Sequence, residues 1–380
     1  MKSKDFLKFL TDKPIVIAFS TILIIEILLQ IGVYKPFLKK NSYAANINRV
    51  TNHIIEQRKV LDPTILIVGT SVAFEGISVR ILNEELKSTG EEVQSFAIRG
   101  SELVVQHHLL SEHLRKFPKV HTIIHVLEPG MAWVDRSHLV EPTMVMLSEV
   151  GNVSSIPLVQ KYEYKMVWTD YLFLLFKSIA YRKDLGDMFI NFNERIKAIA
   201  RRNKNPNLMP WDYENPHTES MGPYNIRSLE ECMEKTNPQT TFPLPTESDI
   251  DHRRMIHETC AIAITVPKDP IKTESTDRYF RRLNKMYSLI LDQKIHIINV
   301  FAPYSSAIRP LNGPERMKIW EDGLHFALGD RQSLDQYDLQ DSLGKEENGQ
   351  YCFDLIHLNR QGMETFSHIL GKELAKRYKK

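Results

Sequence analysis

Thr64-Ile65-Leu66-Ile67-Val68-Gly69-Thr70-Ser71 is the stretch on which the fold turns. Residues 64–68 form an unbroken apolar run between Pro63 and Gly69, the pattern of a strand covered on both faces. Working outward, residues 77–86 have helical periodicity and residues 92–98 hold a second short strand. Ser101 can cap a helix running to about Phe117, with Leu103, Val104, Leu109, Leu110 and Leu114 as its apolar stripe, and residues 121–127 read as a third strand. Three strands separated by two helices predict a parallel sheet built from right-handed crossovers. The pattern lapses over about 131–274 and resumes with a helix whose face carries Tyr279, Phe280, Leu283, Met286, Tyr287, Ile290 and Leu291. A strand over 295–301 and, after a loop-rich stretch, a helix over 360–378 capped by Asn359 complete the order. The expectation is a three-layer α/β/α domain over residues 63–380, interrupted by one large insertion.

The chain of 380 residues is 42% apolar and 25% charged, which excludes global disorder and collagen-like repeats. A formal net charge of +2, with no basic stripe and no recognisable module, gives no ground for a nucleic-acid partner. Cys232, Cys260 and Cys352 are too few and too scattered for a disulfide scaffold and lack zinc-site spacing, so at most one disulfide is expected. No motif calls for a metal, nucleotide or flavin, and no cofactor is expected.

Pro14 to Tyr34 contains 21 residues, 13 of them Ile, Leu, Val or Phe. As a helix it would span about 30 Å, the thickness of a bilayer core. Its apolar side chains outweigh a penalty of about 3 kcal/mol for Glu26 near mid-span. A buried core helix would need a polar face, and a cleaved signal peptide, suggested by Ser42-Tyr43-Ala44 before Ala45, would have a shorter apolar stretch. An uncleaved signal anchor over 14–34 is therefore expected, with a tail over 1–13 and a stalk over 35–62. Lys2, Lys4, Lys8 and Lys13 face Lys35, Lys39, Lys40 and Arg49 across it, so charge alone does not orient the span. Glu26 and Gln30 share a helical face and could bond to a partner helix within the membrane.

Within the insertion, Tyr171 to Phe176 is too short to cross a bilayer and is expected to be buried in the domain. The alternative is the membrane interface, which flanking Lys165, Lys177, Arg182 and Lys183 would suit. Residues 203–249, rich in Pro, Asn, Glu, Ser and Thr, read as a flap or a disordered segment. Trp211 and Tyr213 within it read as packing residues, with sugar stacking as the alternative. His107 and His108 point in different directions on one helix, and His121 and His125 lie about 13 Å apart on an extended strand, so shared metal binding is disfavoured.

Chemistry enters through Ser71, placed in the loop beyond the carboxyl edge of the sheet, where open α/β sheets bind ligands. Gly69 allows the tight turn, and the Ser71 N–H near a helix start is open to an oxyanion. Near the other end, Asp354-Leu355-Ile356-His357-Leu358-Asn359 sets an Asp and a His three apart before the last helix. A serine hydroxyl needs a base to take its proton, and an imidazole serves when a carboxylate orients it.

With this strand order, the two motifs give a chain that resembles the SGNH, or GDSL-like, hydrolase superfamily, with its flavodoxin-like sheet. It looks like the membrane-anchored envelope branch, similar to the DltD and AlgJ types of cell-surface acyl-transfer proteins and to uncharacterised anchored proteins of spirochaetes. The resemblance covers the architecture from Thr64 to Lys380, and its sequence match is confined to short blocks. It implies Ser71 as nucleophile, His357 as general base, Asp354 as its orienter, and Gly100 as an oxyanion N–H donor. The family's asparagine after the third strand is missing, since Leu127-Glu128-Pro129-Gly130 stands there. It further implies a membrane-anchored esterase or O-acyltransferase outside the cytoplasm, with the N-terminus inside. Its expected partners are an envelope glycan or other acylated polymer and a membrane acyl donor. The competing expectation is a catalytically silent protein of the same fold with a structural or assembly role.

Overall fold

The computed structural model describes residues 12–55, 62–204, 215–237, 239, 250–344 and 349–379. The apolar run is strand β1 (Ile65–Val68), joined by β2 (Val93–Ser95), β3 (Thr122–Leu127), β4 (His296–Phe301) and β5 (Gln336–Asp338). The strands form one sheet in the order β2-β1-β3-β4-β5, and every pairing is parallel. Ile65 stands opposite both Val93 and Thr122, and Thr122 opposite His296, so the first four strands start in register.

Side chains alternate across a strand, and β1 accordingly feeds two cores. Leu66 and Val68 pack into one with the helices Leu103–His113, Glu274–Leu291 and Pro314–Leu328. Ile65 and Ile67 pack into the other with Val79–Leu86 and Arg360–Tyr378. All four β1 side chains are fully buried, as the unbroken apolar run requires.

Three departures from the sequence reading have local causes. The first crossover is two helices, Ser71–Gly76 and Val79–Leu86, because Ile77 is extended and the Ser78 side chain accepts the Ile81 N–H to start a new helix. The loop-rich stretch before the last helix contains the Pro314–Leu328 helix and β5; the strand is three residues long and largely exposed, so it has no apolar run to reveal it. The insertion is mostly helical where described, from Glu141–Val150 to Ile250–Ile264, and a Cys232–Cys260 disulfide joins its last two helices. Residues 205–214, with Trp211 and Tyr213, and residues 240–249 lie outside the described residues.

The Lys13–Gln30 helix is long and apolar enough to cross a membrane. The chain beyond it is not a free stalk. Leu38, Ala44, Ile47, Val50 and Ile54 are buried in the first core, so the domain includes the chain to at least residue 55. The Tyr171–Phe176 segment is divided: Phe173 and Leu174 are buried, whereas Tyr171, Leu175 and Phe176 are exposed. Glu26 and Gln30 find partners in this chain, with Glu26 accepting the N–H groups of Lys177 and Ser178 and Gln30 donating to the Leu175 carbonyl.

Cys352 is a buried free thiol. Thiol titration of the unfolded, unreduced chain should therefore find one reactive cysteine, rising to three after reduction. Closing a loop with a sequence separation of 28 residues should make the oxidised form more stable by about 3 kcal/mol in denaturant titration. Three free thiols before reduction would contradict the link.

Candidate active site

Ser71 follows β1 directly and is the first residue of the Ser71–Gly76 helix, whose preceding residue Thr70 accepts the Val72 N–H through its hydroxyl. As a first-turn donor, the Ser71 N–H has no intrahelical acceptor. The Ser71 Oγ lies 2.8 Å from His357 Nε2, and His357 Nδ1 lies 2.8 Å from Asp354 Oδ2. Asp354 is fully buried, and its Oδ1 also accepts the backbone N–H groups of Ile356 at 2.9 Å and His357 at 2.8 Å. These bonds leave Nδ1 of His357 as the protonated face toward the carboxylate and aim Nε2 at the serine, the geometry a general base needs.

A second carboxylate stands one turn beyond the serine. Glu75 is completely buried; its Oε1 pairs with Arg99 Nη2 at 2.5 Å, and its Oε2 lies 4.0 Å from His357 Nε2. With His357 protonated, two anions (Asp354 and Glu75) and two cations (Arg99 and His357) balance, as buried charges must. Burial alone would lower the pKa of His357, but Asp354 and then Glu75 overcome it and raise it to about 9. Asp354 shifts the other way: burial pushes its carboxyl up, and the imidazole and backbone donors bring it below the ordinary carboxylate range. The resting site is thus an imidazolium between two carboxylates.

The glycine after β2 borders the same edge. Gly100 has φ +71°, and a Cβ there would sit 3.0 Å from the Tyr43 ring, so both backbone and space favour glycine. Arg49 donates to the Ala97 carbonyl at 2.9 Å, so the segment after the N-terminal apolar helix braces the loop that carries Arg99 and Gly100. After β3, Glu128 bonds to the Thr70 hydroxyl, and burial raises its carboxyl pKa.

Residues 215–222 of the insertion lace the two halves of the site together. Asn215 Nδ2 donates to the carbonyls of Glu75 at 3.0 Å and Leu358 at 2.8 Å, joining the serine helix to the histidine loop. Arg360 N–H donates to the His217 carbonyl at 2.8 Å, and Met221 N–H to the Cys352 carbonyl at 2.9 Å. The His217 ring stacks on Phe353 at 3.8 Å, and His252 stacks on the same ring at 4.3 Å. Asn359 caps the last helix, its Oδ1 accepting from Gly362 N.

Beside Thr70, a cleft of about 580 Å³, counting the part open to solvent, is walled by Glu102, Gln106, Glu128, Arg136, Tyr164 and Arg282. Glu102 Oε1, Gln106 Oε1 and Arg136 Nε in its wall make no hydrogen bond among the described residues. The other histidines are occupied separately: His107 with the Tyr162 hydroxyl, His125 with the Tyr287 hydroxyl and His121 with Glu91. Burial drives His107 and His125 to about 4 and about 3, so both stay neutral. Among the described residues no group of three His, Cys, Asp or Glu could hold a metal ion.

The structure therefore brings Ser71, Asp354 and His357 together across a separation of 286 residues between serine and histidine. The sequence reading missed Glu75, although its position four after Ser71 on one helix was a usable signal. Asn215 left no signal, because its partners are main-chain carbonyls. No family model matches the chain, and no curated protein matches it in sequence.

Asn215→Ala leaves two carbonyls of the site short of a donor and should lower stability by about 1–3 kcal/mol. Denaturant titration measures this; an unchanged midpoint would show that the bridge carries no weight.

Proposed function

We propose that the chain is a membrane-anchored serine esterase or O-acyltransferase of the SGNH type, acting on O-acyl esters of an envelope glycan or similar polymer. The observation that carries this reading is the hydrogen-bonded relay from Ser71 Oγ through His357 to buried Asp354. The strand order β2-β1-β3-β4-β5, which is that of flavodoxin-like sheets, and the two helix-covered faces support the three-layer assignment.

In the reaction, neutral His357 takes the Ser71 proton on Nε2 as Oγ attacks the ester carbonyl. The Ser71 and Gly100 N–H groups are the oxyanion donors in this reading, with no asparagine beside them. Collapse expels the alcohol, which leaves with the proton from Nε2, and the acyl group stays on Ser71. Water or an acceptor hydroxyl then attacks and gives its proton to His357, which returns it to Ser71 Oγ as that oxygen leaves, releasing the acid or the new ester. The cleft beside Thr70, with acceptors on Glu102 and Gln106 and a donor on Arg136, suits a hydroxylated acceptor.

The N-terminal span and the disulfide support a location outside the cytoplasm with the N-terminus inside, since structural disulfides persist in oxidising compartments. A silent, structural role remains the second reading, favoured by the missing asparagine, a donor worth about 3 kcal/mol in such sites.

Purified full-length protein should hydrolyse small acetyl esters, with Ser71→Ala losing most of the activity. Because the base must be neutral and its pKa is about 9, kcat/KM should rise about a hundredfold from pH 7 to pH 10 along one ionisation. Glu75→Gln removes a negative charge that favours imidazolium and should move that inflection to lower pH. A wild type no faster than Ser71→Ala on esters or envelope glycans would favour the silent role.

A further inference from the structure

The anchor helix does not leave the domain at its last residue. Glu26 lies four residues before Gln30, about 6 Å along the helix axis. Glu26 accepts Lys177 N–H at 2.7 Å and Ser178 N–H at 3.0 Å, while Gln30 donates to the Leu175 carbonyl at 2.9 Å. The backbone from 175 to 178 is thereby fixed at the level of the span's last turn. Leu175 and Phe176 within it are 48% and 36% exposed, an arrangement that in water leaves apolar surface uncovered.

The next two helices dock just beyond the span. Asp184 accepts from the Tyr34 hydroxyl at 2.5 Å and from Lys39 N–H at 2.8 Å, and Arg195 Nη2 donates to the Phe37 carbonyl at 2.5 Å. These helices, Arg182–Ile190 and Phe192–Lys204, show Phe189, Ile190 and Phe192 to solvent at 82%, 83% and 54%. Lys197 and Arg201 are exposed on the second of them. Apolar side chains beside exposed cations describe a helix that lies in a headgroup layer.

We propose that residues 175–192 form a collar seated in the interfacial layer of the bilayer that the Lys13–Gln30 helix crosses, with a phospholipid surface as its partner. The inference rests on reading that helix as a span, and it adds a second membrane contact made by the insertion. The collar fixes the height of the domain, and the Tyr43 contact with Gly100 ties the oxyanion loop to the same anchor. Tyr43 lies 13 positions beyond Gln30, which holds that loop within about 45 Å of the membrane surface.

The test uses the full chain in vesicles of phosphatidylcholine and phosphatidylglycerol. Phe176→Cys and Phe189→Cys are each labelled in the folded protein with bimane, the three native cysteines being buried or bonded. Quenching by a lipid doxyl-labelled at a shallow chain position is compared with quenching by aqueous iodide. The collar predicts at least threefold stronger quenching by the lipid than by iodide at both positions, with the protein resistant to alkaline carbonate extraction. Retention after carbonate, with iodide the stronger quencher, would overturn the collar and leave the anchor standing. Extraction by carbonate would overturn the span and the collar with it.

Discussion

A carboxylate taken out of water at Asp354 has to be met by donors, and the loop from Tyr351 to Asn359 takes its shape from that demand. Two backbone N–H groups and one imidazole N–H converge on it. The same bonds that satisfy the charge orient His357, so turning the ring away would leave a buried anion short of a partner. The serine needs no comparable investment. It is placed by β1 and the helix start, and it meets an imidazole already fixed.

Buried charge also sets the protonation of the imidazole. Glu75 and Arg99 add a second ion pair beside the imidazole, and the four groups are neutral in sum only when His357 carries its proton. Deprotonating it leaves a net negative site, which is why its pKa is raised despite burial. On the proposed reading the reactive, neutral form is the less stable one at neutral pH, and the environment that orders the imidazole also restrains it. Asn215 and the residues after it hold the two loops in register, so the insertion is part of the site's construction.

Periodicity and local motifs made part of this legible in the sequence. The β1 run, the glycine-to-serine turn and the Asp-x-x-His before a capped helix each show themselves within ten residues. The order of the first four strands was legible for the same reason. β5 was not, because three largely exposed residues carry no apolar run. Residues 43–55 read as a stalk because the partners of their buried side chains lie far away in sequence. Glu75 was passed over because a carboxylate on a helix usually faces water; only the tertiary fold shows it completely buried against Arg99. The divided fate of residues 171–176 also lies beyond pattern, since the same apolar side chains serve a core on one face and an exposed surface on the other.

The central claim is that Ser71 is a nucleophile activated by His357 and Asp354. The most direct measurement is treatment of the detergent-solubilised full chain with a fluorophosphonate, then intact-mass analysis and peptide mapping. The account predicts one adduct, at Ser71, forming faster at pH 9 than at pH 7 and lost in His357→Ala. A folded wild type that stays unmodified at Ser71 at both pH values, or one modified equally well in His357→Ala, would contradict it.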